Sequence, residues 1–220
     1  MAIPTYSEGR KTIEALGRAL RPAAQNWPIV ATQAIVAVKR KMPLGATNRF
    51  MQDRSAWVKG SDPLGLATFG KEVERVFGSF SRTREIDKAL DSWNLDLSKT
   101  GGCTDPTRLA AAAGMGELAI TKGAGNCQYQ GAATFEVLRV AGVRPLDLIY
   151  IFRSNDSPRH AVTVIGIPKL EKQTEPPYAL WRDCAVLADT WETDMSEPAT
   201  ALGKRYAPAD HRFISFARVP

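Results

Sequence analysis

The sequence predicts an α+β fold: one cysteine-bearing helix packed on an antiparallel sheet, preceded by a helical N-terminal segment. Three observations predict it. Helical periodicity dominates the first hundred residues. A Gly-rich approach and a terminating glycine bracket an apolar helical run from Cys127 to Ala141. Three strand-like runs then follow, separated by turn-forming residues, and the order helix, strand, strand, strand favours antiparallel pairing against the helix. Of the 220 residues 44% are hydrophobic and 24% charged, enough for a sizeable core and contrary to the composition of a disordered chain.

Taken in order, Ser7 is placed to cap a helix with Ile13, Leu16 and Leu20 on one face, broken at Pro22 and Asn26-Trp27-Pro28. A second helix is expected from about Pro28 to Lys41, with proline in its first turn and basic residues at its end. Residues 42 to 66 read as a loop. Ala67 to Leu95 reads as one or two helices, with Phe69, Val73, Val76 and Phe77 as one stripe and Ile86, Leu90 and Trp93 as another. Lys99 to Pro106 is a turn-rich boundary. It divides a helical segment, residues 1–100, whose role the sequence does not state, from a second domain, residues 101–220, that holds the helix and the strands named above.

Beyond the boundary, Thr107 to Ile120 is helical and alanine-rich, and Lys122 to Asn126 leads flexibly to Cys127. The next helix ends at Gly142, the position of a left-handed C-terminal cap. The strand-like runs are Leu146 to Arg153, His160 to Ile167 and Asp183 to Trp191.

Bulk properties narrow the function. The net charge is +6 and the isoelectric point about 9.3, which favours acidic partners, but no basic run is long enough for a nucleic-acid arm, and no nucleic-acid partner is expected. Three cysteines, Cys103, Cys127 and Cys184, do not make a disulfide framework. With two histidines and no zinc-type spacing, neither a metal nor another cofactor is expected. The most apolar run, Ile29 to Val38, is too short to span a bilayer, and its basic cluster follows it instead of preceding it, unlike a signal peptide. The chain is thus expected to be made in the cytoplasm without a classical signal.

Three residues carry candidate chemistry. Cys127 sits where a loop becomes a helix; the unpaired amides and dipole of a helix start favour a thiolate, the form that attacks. His160 opens a strand after a polar loop and is the natural base for a thiol. Asp189 ends an apolar strand, where a buried carboxylate needs a partner and can orient a histidine. Each has a plainer reading: a buried inert cysteine, a surface histidine, a turn aspartate before Thr190-Trp191-Glu192. Cys184 reads as core, Cys103 lies in a turn with no base following it, and His211 reads as a surface residue.

The stretch from Gly125-Asn126-Cys127 to Tyr150 resembles the papain-like and transglutaminase-like superfamily. The likeness lies in the Cys at a helix start, Ala132-Ala133 on the next turn, Leu138-Arg139-Val140-Ala141-Gly142-Val143 at the helix end and the strand Pro145 to Phe152. His160 to Gly166 and Leu187 to Trp191 resemble its later His-bearing and Asp-bearing strands. The resemblance covers roughly residues 105 to 195 and implies a Cys127–His160–Asp189 triad in a thiol hydrolase. A compact domain of this kind behind an unrelated helical segment resembles bacterial effectors and toxins: glutamine deamidases or cysteine proteases delivered by a specialised secretion system into a target cell. Such proteins act on a protein substrate and have an immunity protein or chaperone as partner. One departure concerns the oxyanion hole: Thr121 stands where papain-type proteases have Gln, leaving the Cys127 amide with Asn126 or Gln128 as candidate donors.

Two rivals remain open on the sequence. Peptidoglycan amidases or endopeptidases of the NlpC/P60 type also use Cys then His, but with Asp before the Cys and commonly a third His. A non-enzymatic binding module would instead use the N-terminal helices, with Ile29 to Lys41 as an amphipathic helix on an anionic membrane.

Overall fold

The structure, a computed structural model, describes residues 3–44, 63–93, 100–169 and 173–220, and of residues 63–76 the backbone alone. It is α+β, with a five-stranded antiparallel sheet between two layers. Helices α1 (Ser7–Leu20), α2 (Trp27–Lys41), α3 (Pro63–Ser92), α4 (Pro106–Lys122) and α5 (Cys127–Ala141) come first. Then follow β1 (Leu146–Arg153), β2 (Pro158–Ile165), the short α6 (Tyr178–Trp181), β3 (Val186–Ala188), β4 (Glu197–Pro198), α7 (Thr200–Arg205) and β5 (His211–Val219). The strand order is β4-β3-β2-β1-β5.

Period-two alternation splits the sheet between two cores. Leu146 and Leu148 of β1, Ile165 of β2, Ala188 of β3 and Ala217 of β5 join the cluster formed by α1, α2, α4 and α5. Ile149, Ile151, Val162, Val164 and Leu187 join the second cluster, with Trp181, Leu202 and Phe213. The Ser154–Ser157 turn joins β1 to β2: Asn155 Oδ1 accepts from Ser157 N and Oγ, and Asp156 adopts a left-handed φ of 59°. Helix α5 lies between the sheet and the other helices, and Tyr129 to Leu138 are all buried. It ends at Gly142 (φ 90°), whose amide bonds to Arg139 O, while Val143 N bonds to Leu138 O. This is the cap expected from the sequence.

Several elements differ from expectation, each for a local reason. Ser7 is the first residue of α1 and caps nothing; Tyr6 holds the cap position and its amide donates to Glu117 Oε2 at 3.0 Å. The buried seam of α1 is Gly9, Ile13 and Gly17, with Leu16 and Leu20 only partly covered. Glycines are needed because α1 runs close against α4 and α5: a Cβ on Gly9 would lie 1.9 Å from the backbone Glu117 O, and one on Gly17 2.5 Å from Val140 Cβ and 2.9 Å from the backbone Val137 O. The cap of α2 is Asn26, whose Oδ1 accepts from Ile29 N at 3.3 Å. Where one or two helices were expected over 67–95, the described residues form one helix, α3, from Pro63 to Ser92. Ile86 and Trp93 are buried as expected, whereas Phe77 is 70% exposed. Most of the expected 42–66 loop, the side chains of Phe69, Val73 and Val76, and Leu95 and Lys99 lie outside the described residues.

The third strand shrinks to Val186–Ala188. Cys184 N and Ala185 N bond back to Trp181 O, closing the turn after α6, and Asp189 opens the next turn. Cys184 is therefore exposed and not core. The sequence reading missed β5, which pairs with β1 along its whole length. Its anchor is a buried network: Arg218 Nη1 lies 3.1 Å from Asp147 Oδ2, Arg218 Nη2 donates to Ile167 O and Pro168 O, and Ser215 Oγ donates to Asp147 Oδ1.

The close α1 seam gives a test in which two effects have opposite sign. Alanine is the better helix former by about 1 kcal/mol, yet at Gly9 its methyl must displace the α4 backbone, which costs about 1–3 kcal/mol. Gly9→Ala is expected to lower the urea midpoint of unfolding with an unchanged slope. A raised midpoint would show that α1 does not pack this closely.

Candidate active site

The site begins at the first turn of α5. Asn126 is extended, and its Oδ1 accepts from Gln128 N at 3.0 Å and Tyr129 N at 3.3 Å, so the side chain is the helix cap. Two otherwise unpaired amides are thereby satisfied. Gln130 Nε2 donates to Gly125 O at 3.2 Å and pins the approach loop. Cys127 is the first residue of the helix and is partly exposed, which places its thiol at the positive end of the dipole.

Close helix–sheet contact brings Cys127 to His160. Gly131, one turn after Cys127 on the same face, meets Ala161: a Cβ there would lie 3.5 Å from Ala161 O. Thr163 Oγ1 donates to Gly131 O at 2.9 Å, and the hydroxyls of Thr134 and Thr190 hydrogen-bond to each other. These contacts sew one face of α5 to β2 and to the residue after Asp189. Since His160 precedes Ala161, the thiol at the head of that face falls beside its ring.

His160 Nε2 lies 2.9 Å from Asp189 Oδ2, with both side chains almost wholly buried. That leaves Nδ1 for Cys127, whose sulfur lies near enough to favour the charged form of the ring. Asp189 serves two structures at once. Its Oδ1 accepts from Trp191 N and Glu192 N, each at 3.2 Å, so the turn-aspartate reading also holds, while Oδ2 faces the histidine. The β2–β3 ladder reaches only Thr163↔Ala188, and beyond it the two strands part, with His160 and Asp189 at their diverging ends.

Burial alone pushes the imidazole toward its neutral form. The hydrogen bonds and charges of Asp189 and Cys127 outweigh it and hold His160 up at about 9. At neutral pH the ring is thus an imidazolium between a carboxylate and the sulfur, the charge state a thiolate nucleophile requires.

Of the two oxyanion candidates, Asn126 has its carbonyl oxygen engaged in the cap. Gln128 Nε2 points to Met115 Sδ at 3.3 Å, beside Tyr150. The sequence reading did not find Tyr206, whose ring stacks on His160 (centroids 5.5 Å, interplanar 16°), nor Arg205 near Asp189 and its partner Glu197. Tyr206 and Arg205 end a one-turn helix too short to show periodicity. Cys103 is buried, and burial pushes its thiol up; the Sγ of Cys184 lies near the carbonyls of Gly166 and Trp181. His211 is partly exposed and bonds to Ala207 O. Among the described residues, no three His, Cys, Asp or Glu side chains are grouped to hold a metal ion.

The raised His160 value predicts a pH dependence of stability. Its folded pKa, about 9, exceeds the ordinary 6.5. The contribution is therefore complete below 6.5 and is lost as pH rises through 9. Thermal melts are expected to fall across that window, and the His160-dependent part of the fall should vanish in His160→Gln. A His160 ring resonance with an ordinary midpoint near 6.5 would contradict the assignment. No family model, curated protein or solved structure matches the chain, so the arrangement of Cys127, His160 and Asp189 is what a functional reading rests on.

Proposed function

We propose that this chain is a thiol hydrolase of papain-like or transglutaminase-like architecture, acting on protein glutamine side chains through a thioester on Cys127. The observation that supports the reading best is the buried His160–Asp189 pair beside the partly exposed thiol at the start of α5. An imidazolium in such a place is costly unless its charge is used or compensated.

In this mechanism the Cys127 thiolate attacks the carboxamide carbon. The oxyanion that forms is met by the Cys127 amide and the Gln128 side-chain amide, whose present acceptor, a thioether, is weak and easily exchanged. The C–N bond breaks as His160 gives its proton to the departing ammonia, leaving a thioester. Water then adds to the thioester carbonyl, neutral His160 takes its proton, and the carboxylate product leaves with thiolate and imidazolium restored. Asp189 fixes the ring and stabilises its charge throughout. An amine in place of water would give a cross-link, and a backbone carbonyl in place of the carboxamide would give proteolysis.

The rival readings find less support. The third residue at the site is an aspartate, unlike the His common in the NlpC/P60 type. The apolar residues of α2, Val30, Ala31, Ala34, Ile35 and Val38, are buried in the core, so that face does not offer itself to a membrane. No helix among the described residues is long and apolar enough to cross a bilayer. Delivery into a target cell, with an immunity protein or chaperone as partner, remains an expectation from the resemblance to effectors and toxins.

Alkylation followed by mass spectrometry tests the site without knowing the substrate. Near pH 6, Cys127 is expected to react far faster than Cys103 and Cys184, and to lose that lead in His160→Ala. In an assay of ammonia release from protein glutamine, Cys127→Ala should lower turnover by roughly 10³-fold or more, and Asp189→Asn by about 10²-fold or more, both remaining folded. Full turnover in Cys127→Ala would end the proposal.

A further inference from the structure

We propose that Arg205 and Glu197 form a positioning pair that regulates how strongly Asp189 holds His160. The inference rests on the thiol-hydrolase reading and concerns the regulation of that same site. Arg205, the last residue of α7, extends Nη2 to 2.8 Å from Glu197 Oε2 on β4 and to 3.7 Å from Asp189 Oδ2. The latter is the same oxygen that faces His160 Nε2. Two cations therefore share one carboxylate oxygen, and a second carboxylate draws one of them away.

The alignment of the pair supports a tunable contact over a rigid one. Arg205 Nε and Nη2 and Glu197 Oε2 are buried atoms without a well-formed hydrogen bond, although Nη2 and Oε2 are close. The guanidinium is held between two carboxylates by charge and not by a bidentate fork. The groups facing His160 are Cys127 from α5, Asp189 after β3 and Tyr206 after α7. Glu192 in the turn, Glu197 on β4, Arg205 on α7 and His211 at the start of β5, set against Tyr206, complete the surroundings.

The two halves of the pair then have opposite effects. Without the charge of Glu197, Arg205 is uncompensated, competes for Asp189 and weakens its hold on the imidazolium. Without Arg205, Asp189 gives its whole charge to His160. A purely structural ion pair would instead move the site in one direction whichever partner were lost.

The test is a ring-resonance titration of histidine-labelled full chain, with His211 as the internal reference, alongside the pH profile of Cys127 alkylation by iodoacetamide. Glu197→Gln is expected to lower the His160 midpoint by about one unit and Arg205→Gln to raise it by about one unit. Arg205→Lys, which keeps the charge, should stay close to wild type. Shifts of the same sign in Glu197→Gln and Arg205→Gln, or no shift in either, overturn the inference. If Arg205→Gln does not fold, a lowered midpoint in Glu197→Gln with an unmoved Arg205→Lys supports it, and an unmoved Glu197→Gln overturns it. A fast, His160-dependent Cys127 with unmoved midpoints in the variants defeats this inference alone. A wild-type Cys127 no faster than the other two cysteines defeats the hydrolase reading and this inference with it.

Discussion

Helix α5 can occupy only one place, because its middle is packed on all sides. Residues Tyr129 to Leu138 are buried, with α1, α2 and α4 on one side and the sheet on the other. Native interiors are packed like organic crystals, so such a helix slides or rotates only by dislodging many neighbours. The position of Cys127 thus follows from apolar burial elsewhere along the helix. Gly131 brings the helix close to β2, and the paired Thr134 and Thr190 hydroxyls tie it to the Asp189 turn. Ordering a thiol, an imidazole and a carboxylate costs conformational entropy, and here the packing of the core offsets that cost.

The N-terminal helices share in this arrangement. Thr32 on α2 hydrogen-bonds to Ser196, Ser196 Oγ reaches Pro28 O, and Lys39 lies 2.5 Å from Asp194. These contacts hold the loop that starts at Asp189. Glu117 on α4, almost buried, receives the Tyr6 amide and the Arg10 guanidinium from α1. Segments far apart in the chain thereby set the geometry of a few side chains.

Much of this was legible in the sequence because it depends on local rules. A Gly-rich approach before Cys127 and a glycine after Ala141 mark α5 at both ends, and the strand-like run from Leu146 to Arg153 coincides with β1. The juxtaposition of Cys127, His160 and Asp189 was legible only as a resemblance, since no periodicity says which strand end meets which helix start. What escaped had nonlocal causes. The α1 seam uses glycines because of backbone on α4 and α5, far along the chain from any local signal, and β3 is short because both of its ends are consumed by turns. The β5 pattern was present in Phe213, Ile214, Phe216 and Val219, but Arg218 in its midst reads as polar until Asp147 is seen opposite. Arg205 and Glu197 become meaningful only once Asp189 is in place.

Strand β5 has a consequence in the order of synthesis. Cys127, His160 and Asp189 all leave the ribosome before it, and β1, the neighbour of β2, lacks one of its two partners until β5 emerges. In that interval β1 presents a bare apolar edge, the kind of template on which chains join one another. The growing polypeptide is therefore exposed to aggregation after these three residues have appeared and before its sheet is complete. A chaperone that shields that edge would act on the nascent chain at this stage, before the sheet is complete.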